Sequence, residues 1–172
     1  MIQLEPFTEA DLDRLIGWVA SEERHFLWTA SFFEYPLTRE PFQKLMEESA
    51  ARGDRLFYKA VAPETGEAVG HIEFGAIDRI NRSTRIGRVL VSPEAQGRGV
   101  GTAMMRAALE IAFGQMKMHR VDLWVLDINT HAIACYEKLG FRHEGLCRES
   151  FKGPDGYLGM RIMSMLEGEW EP

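Results

Sequence analysis

The stretch VSPEAQGRGVGTAM, residues 91–104, decides how this chain is read. An apolar run ends at Pro93, glycines follow at Gly97, Gly99 and Gly101, and helix-forming residues begin at once. Glycine at a strand-to-helix turn lets the main chain approach a ligand and leaves the first helical N–H groups without partners. Those groups and the helix dipole favour an anion such as phosphate. The alternative is a tight turn or a close fit against a neighbouring helix. Three glycines at alternate positions, beside Gln96 and Arg98, favour the anion site.

Two common phosphate loops do not fit. A P-loop requires Lys-Ser/Thr after its last glycine, whereas Thr102 and Ala103 follow Gly101. A dinucleotide fingerprint begun at Gly97 fails at Thr102. The preceding segments also disagree with both parallel-sheet folds. Residues 55–62, 68–77 and 83–91 read as strands separated by turns at 63–66 and 78–81, an antiparallel meander.

Further upstream, residues 2–7 read as a strand. Thr8 caps a helix to about residue 20, with Leu12, Leu15, Ile16 and Val19 on one stripe. The aromatic segment ERHFLWTASFFEYPL has no clean period and is read as a loop with room for a helical turn. Thr38 begins a second helix, with Pro41 in its first turn, ending near Gly53. Downstream lie a long helix from Gly99 to about Gln115, a buried strand at 120–126 and a short helix at 129–139 stopped by Gly140. Strands at 141–151 and 156–166, joined by the KGPDG turn, close the chain. The strand–helix–strand unit predicts one parallel crossover.

Composition fits one globular domain over residues 1–172, with 45% hydrophobic and 27% charged residues. No apolar run approaches the roughly 20 residues that span a bilayer, so no membrane association is expected. The acidic N-terminus does not read as a signal peptide. Cys135 and Cys147 match neither a metal spacing nor a disulfide framework, so no metal and a cytoplasmic setting are expected. The net charge of −6 argues weakly against a nucleic-acid binder and is compatible with a cationic substrate, or simply with the acidity that keeps many proteins soluble.

The spacing Gln96-x-x-Gly99-x-Gly101 resembles the pyrophosphate signature of the GNAT superfamily of acetyl-coenzyme A-dependent N-acetyltransferases. NTHAIACYEKLGF resembles a second block of that family, through Asn129, Ala132, Tyr136, Leu139, Gly140 and Phe141. The likeness runs from about residue 2 to 166 and is specific in 89–102 and 129–141. Residues 135–166 look similar to the branch of ribosomal-protein N-terminal and spermidine acetyltransferases. The resemblance implies a mixed α/β (α+β) GNAT-like acyl-CoA N-acyltransferase fold. Its single, mostly antiparallel sheet of about six to seven strands would be flanked by about four helices.

The resemblance also implies roles. Val89, Leu90 and Val91 would receive the acetyl-pantetheine arm on a strand with a bulge, whose N–H groups face the thioester carbonyl. Gln96, Gly97, Arg98, Gly99, Val100, Gly101 and Thr102 would hold the pyrophosphate. Asn129 would touch the pantetheine arm, and Tyr136 would act as general acid toward the departing thiolate. A phenol with a pKa of about 10 is protonated at neutral pH, as that task requires. Read from the residues alone, Val89 to Val91 is a core strand, Asn129 an N-cap and Tyr136 a core aromatic.

The base is open. Some relatives carry a glutamate five residues before the asparagine, where this chain has Trp124. Glu73 and His71, which share a strand face by parity, Asp127 and a water chain are the candidates. A covalent route through Cys135 is set aside, because no recognised motif places a histidine to activate it. Direct transfer to a primary amine of a protein N-terminus, polyamine or other small amine is expected. Glu22, Glu23, Trp28, Phe32, Phe33, Tyr35, Glu144, Glu149 and Tyr157 would suit such a cation, or else form a solvated acidic face and ordinary core. A non-catalytic acetyl-coenzyme A sensor is the alternative, against which Tyr136 stands. The exposed last hairpin offers a surface for a homodimer.

Overall fold

A computed structural model describes residues 2–171. Seven strands form one sheet: β1 (Gln3–Pro6), β2 (Leu56–Ala62), β3 (Glu67–Asp78), β4 (Ser83–Val91), β5 (Arg120–Leu126), β6 (Arg142–Gly153) and β7 (Gly156–Leu166). Their spatial order is β1-β2-β3-β4-β5-β7-β6. Every pairing is antiparallel except that of β4 with β5, which is the expected crossover. The helices are α1 (Leu12–Trp18), α2 (Glu22–Thr29), α3 (Arg39–Arg52), α4 (Val100–Leu109) and α5 (Thr130–Lys138).

Five helices stand where about four were expected, because the aromatic segment after Ser21 folds into α2. The Ser21 hydroxyl caps it by accepting from the Arg24 N–H at 3.3 Å. The Arg24 side chain then ties it to distant main chain, donating from Nη2 to the Val91 carbonyl at 3.0 Å. Tertiary anchoring of this kind outweighs a weak hydrophobic period. The long helix also differs from its reading: α4 passes into a π turn over Glu110–Gln115.

The sheet separates two apolar layers. Phe7, Leu12, Leu15, Trp28, Phe42 and Leu90 belong to the layer under α1, α2 and α3. Ile72, Phe74, Ile86, Met104, Leu109 and Met163 belong to the layer under α4. Packing is close where α4 crosses the sheet: a Cβ added to Gly70 would lie 2.5 Å from Met104 Sδ and 2.7 Å from the Leu90 carbonyl oxygen. No helix among the described residues is long and apolar enough to cross a membrane.

Two departures from a regular sheet position the site. First, β4 pairs with β5 only from Ser83 to Arg85, opposite Arg120 to Asp122. Beyond that point the two strands no longer pair, and the sheet opens. Second, Gly87 faces Glu73 while Leu90 faces His71, so β4 carries one extra residue. This is a β-bulge. Arg88 sits in it with a φ of 45°, an uncommon conformation for a residue with a side chain.

Candidate active site

Two adjoining cavities, of about 590 and 540 Å3, lie where β4 and β5 part. The first is lined by Val89, Leu90, Val91, Gln96, Gly97, Gly99, Val100, Gly101, Thr102, Asn129 and Tyr136. Of the residues expected at the cofactor, Arg98 alone is off this wall, exposed on the loop. Its reach to a ligand is therefore not given by the cavity.

The glycines answer to conformation and open space. Gly97 and Gly99 have φ of 72° and 76°, and a Cβ added to either meets nothing within 4 Å. A close fit against protein therefore does not explain them. At Gly101 a Cβ would touch Val91 Cγ2 at 3.5 Å, an ordinary contact. Gly99 is the N-cap of α4 and brings no side-chain cap. The start of that helix thus presents N–H donors to the first cavity, the arrangement that holds a phosphate group.

Sequence reading missed three basic residues on the same wall: Arg24, His131 and Lys138. No Asp or Glu joins them among the described residues. His131 and Lys138 are seven residues apart on α5, a spacing of two turns that could have marked them. Arg24 carries no such signal, since its place depends on contacts to Trp18 and Val91.

Asn129 is the N-cap of α5, as a cap reading requires: its Oδ1 accepts from the Ala132 N–H at 3.3 Å. It also lines both cavities. Tyr136 does so too, with its ring 6.0 Å from that of Phe141. Burial, aided by neighbouring Cys135, pushes its phenol above the ordinary value and keeps it protonated. Cys135 Sγ lies 3.3 Å from Thr102 Oγ1.

None of Glu73, His71 and Asp127 lines either cavity. Glu73 is fully buried and bonded to Arg55 and Arg88, each at 2.8 Å, and to His71 Nε2 at 3.1 Å. Burial alone would raise its pKa, but the Arg88 charge and the His71 contact outweigh that and hold it at about 2. So acidic a group is a poor acceptor for a proton from an amine. Asp127 accepts from the Gly159 N–H at 3.1 Å, fastening β5 to β7. Trp124, in the register of the family's glutamate, lies under the Arg85 guanidinium at 4.1 Å.

Few of the residues expected to suit a cationic acceptor reach the second cavity. Only Trp28 and Phe32 of the expected set reach it. Glu22 and Glu23 are exposed in the first turn of α2, and Glu149 and Tyr157 are exposed on the last hairpin. Glu144 is held by Arg120 through bonds of 2.6 and 2.7 Å. Phe33 belongs to the core, and the Tyr35 hydroxyl donates to the Ala20 carbonyl at 2.7 Å. The charged residues that line this cavity are Arg55, Arg85 and Arg88.

A mostly antiparallel sheet split between β4 and β5, with an uncapped helix start on one lip, is the architecture of a coenzyme A-dependent acyltransferase. The profile of the acetyltransferase (GNAT) family matches residues 20–141. The chain belongs to that family, whose members use acetyl-coenzyme A. It is 29% identical over 170 residues to a putative ribosomal N-acetyltransferase of Bacillus subtilis, covering 98% of this chain and 91% of the relative. It is 29% identical over 102 residues to spermidine N(1)-acetyltransferase of Vibrio cholerae, covering 59% of this chain and 58% of the relative. That second match spans little more than half of the relative's length. The crystal structure of Vibrio cholerae spermidine N-acetyltransferase in complex with CoA and spermine shares the fold, with a TM-score of 0.85 at 22% identity. It covers 98% of this chain and 96% of that one.

Proposed function

We propose that this chain transfers the acetyl group of acetyl-coenzyme A directly to a primary amine, with the two substrates held in the adjoining cavities. The shared wall carries this reading: Val89, Asn129 and Tyr136 line both spaces. Groups entering from the two sides would meet beside a phenol that burial keeps protonated.

In this reading the N–H groups from Gly97 to Thr102 hold the diphosphate, with Arg24 and Lys138 adding positive charge along the wall. The bulge at Arg88 re-aims the main chain at Val89, while Leu90 and Val91 stay paired with His71 and Gly70 on one edge and leave the edge toward β5 unpaired. Its N–H groups would then face the carbonyl oxygen on which negative charge develops. Asn129 positions the arm with the amide nitrogen that its capping role leaves free. Tyr136 gives its proton to the departing thiolate. The amine loses its own proton to water in the opening, since Glu73 is fully engaged with its partners.

A non-catalytic sensor has no task for Tyr136. Release of free coenzyme A, measured across polyamines, aminoglycosides, amino acids and peptides beginning with Ser or Ala, tests the proposal. Turnover on at least one class is expected; tight cofactor binding without turnover on any would contradict it. A homodimer would use β6, whose residues 142–150 are all exposed. Sedimentation at micromolar concentration tests that expectation.

A further inference from the structure

We propose that the acceptor amine carries an anionic group, a carboxylate in the simplest case, and that Arg55, Arg85 and Arg88 select it. The inference rests on the assignment of the second cavity to the acceptor.

Three guanidiniums line that cavity, and no acidic side chain does among the described residues. Arg55 precedes β2, Arg85 and Arg88 stand on β4, and the three are not fully neutralised. Two carboxylates face them: Glu73 bonds Arg55 and Arg88, and Asp122 pairs with Arg85. Asp122 is itself shared with Arg120 at 3.9 Å. The wall therefore keeps positive charge. Donors are also left over: Arg88 Nη2 and Arg55 Nε are buried and make no hydrogen bond among the described residues. These two atoms lie beneath the cavity surface, so an arriving carboxylate would take its charge-assisted bonds from the guanidinium N–H groups that the cavity exposes.

The aromatic groups point the same way. An ammonium ion needs an open ring face. Phe32 has the Arg88 guanidinium 4.5 Å from its centre, and Trp124 has that of Arg85 at 4.1 Å. Two of the five aromatic side chains on this wall thus already hold a cation, and the other three are Trp28, Tyr136 and Phe151. A polyamine entering here would place further positive charge against three arginines with no carboxylate on the wall to receive it. An amine with an anionic neighbour instead offers a carboxylate to the arginines and its nitrogen to the junction at Tyr136. This separates the chain from what the spermidine-acetylating relative is named for.

Matched acceptors test the inference. The common amino acids are assayed as free acids and as carboxamides, beside spermidine and spermine, by coenzyme A release. At least one free acid should exceed its carboxamide by tenfold or more in kcat/KM, with polyamines at background. In Arg85→Gln the acid-to-amide ratio should fall toward one. That ratio is unaffected by loss of folded enzyme, because both acceptors are assayed on one sample. Polyamines or carboxamides turned over as well as the acids would overturn the inference and leave the acetyltransferase reading intact. An unchanged ratio in Arg85→Gln would overturn the part assigned to that residue. Coenzyme A binding without turnover of any amine would defeat both readings.

Discussion

Arg88, the extra residue of the β4 bulge, donates from Nε to the buried Glu73 carboxylate at 2.8 Å. The kink that shapes the opening is thereby fastened to an ion cluster inside the sheet. Arg55 holds the other carboxylate oxygen at 2.8 Å, and His71 shares the first at 3.1 Å. Removing the carboxylate leaves two part-buried guanidiniums without a counter-charge. Glu73→Gln should cost about 3–5 kcal/mol of folding stability, read by urea denaturation. A loss under 1 kcal/mol would show that the cluster does not support the bulge.

The same carboxylate gives a pH dependence. Its folded-state pKa is depressed from 4.5 to about 2. The stabilisation is therefore fully present above about pH 4.5 and is lost as the pH falls toward 2. Wild-type stability should drop across that window more steeply than that of Glu73→Gln, by thermal melts in matched buffers. Parallel slopes would contradict the pairing.

Tyr136→Phe should lower kcat by about 10²–10⁴-fold with little change in cofactor affinity. Its hydroxyl makes no hydrogen bond among the described residues, so stability should shift by less than about 1 kcal/mol. Because the phenol is raised above its ordinary value, its ionisation should not depress wild-type kcat below about pH 10. Steady-state rates over pH 7–10 check both points, and a Phe variant of wild-type rate would remove the general-acid assignment.

Two glycines outside the site separate packing from conformation. Gly70→Ala drives a Cβ into Met104 Sδ and the Leu90 carbonyl and should destabilise by about 1–3 kcal/mol. Gly17→Ala, in α1 with nothing within 4 Å, should instead stabilise by about 0.5–1 kcal/mol. Chemical denaturation of the pair tests the packing of α4 on β3 and β4.

What could be read from the chain follows how local its causes are. The glycine loop and the Asn129 to Tyr136 helix announce themselves because consecutive residues dictate a turn, a cap and a face. The strand count and the single parallel crossover follow from local alternation and turns. Helix α2 does not, because Arg24 secures it to a carbonyl 67 residues away. The bulge is hidden for a similar reason: Arg88 is not a residue that advertises positive φ, and its partner Glu73 lies on another strand. The arginine wall of the second cavity gathers Arg85 and Arg88 of β4 with Arg55 from the segment before β2, so acidic residues nearer in sequence to the ends drew attention first.

The claim on which the rest depends is that main-chain donors at the start of α4 hold the diphosphate. Calorimetric titration of coenzyme A into wild type and Gly99→Glu, with folding verified by circular dichroism, tests it most directly. The new carboxylate would stand where the anion must sit, so affinity should fall by about tenfold or more, at least 1.4 kcal/mol. A folded variant that binds coenzyme A as tightly as wild type would contradict the account.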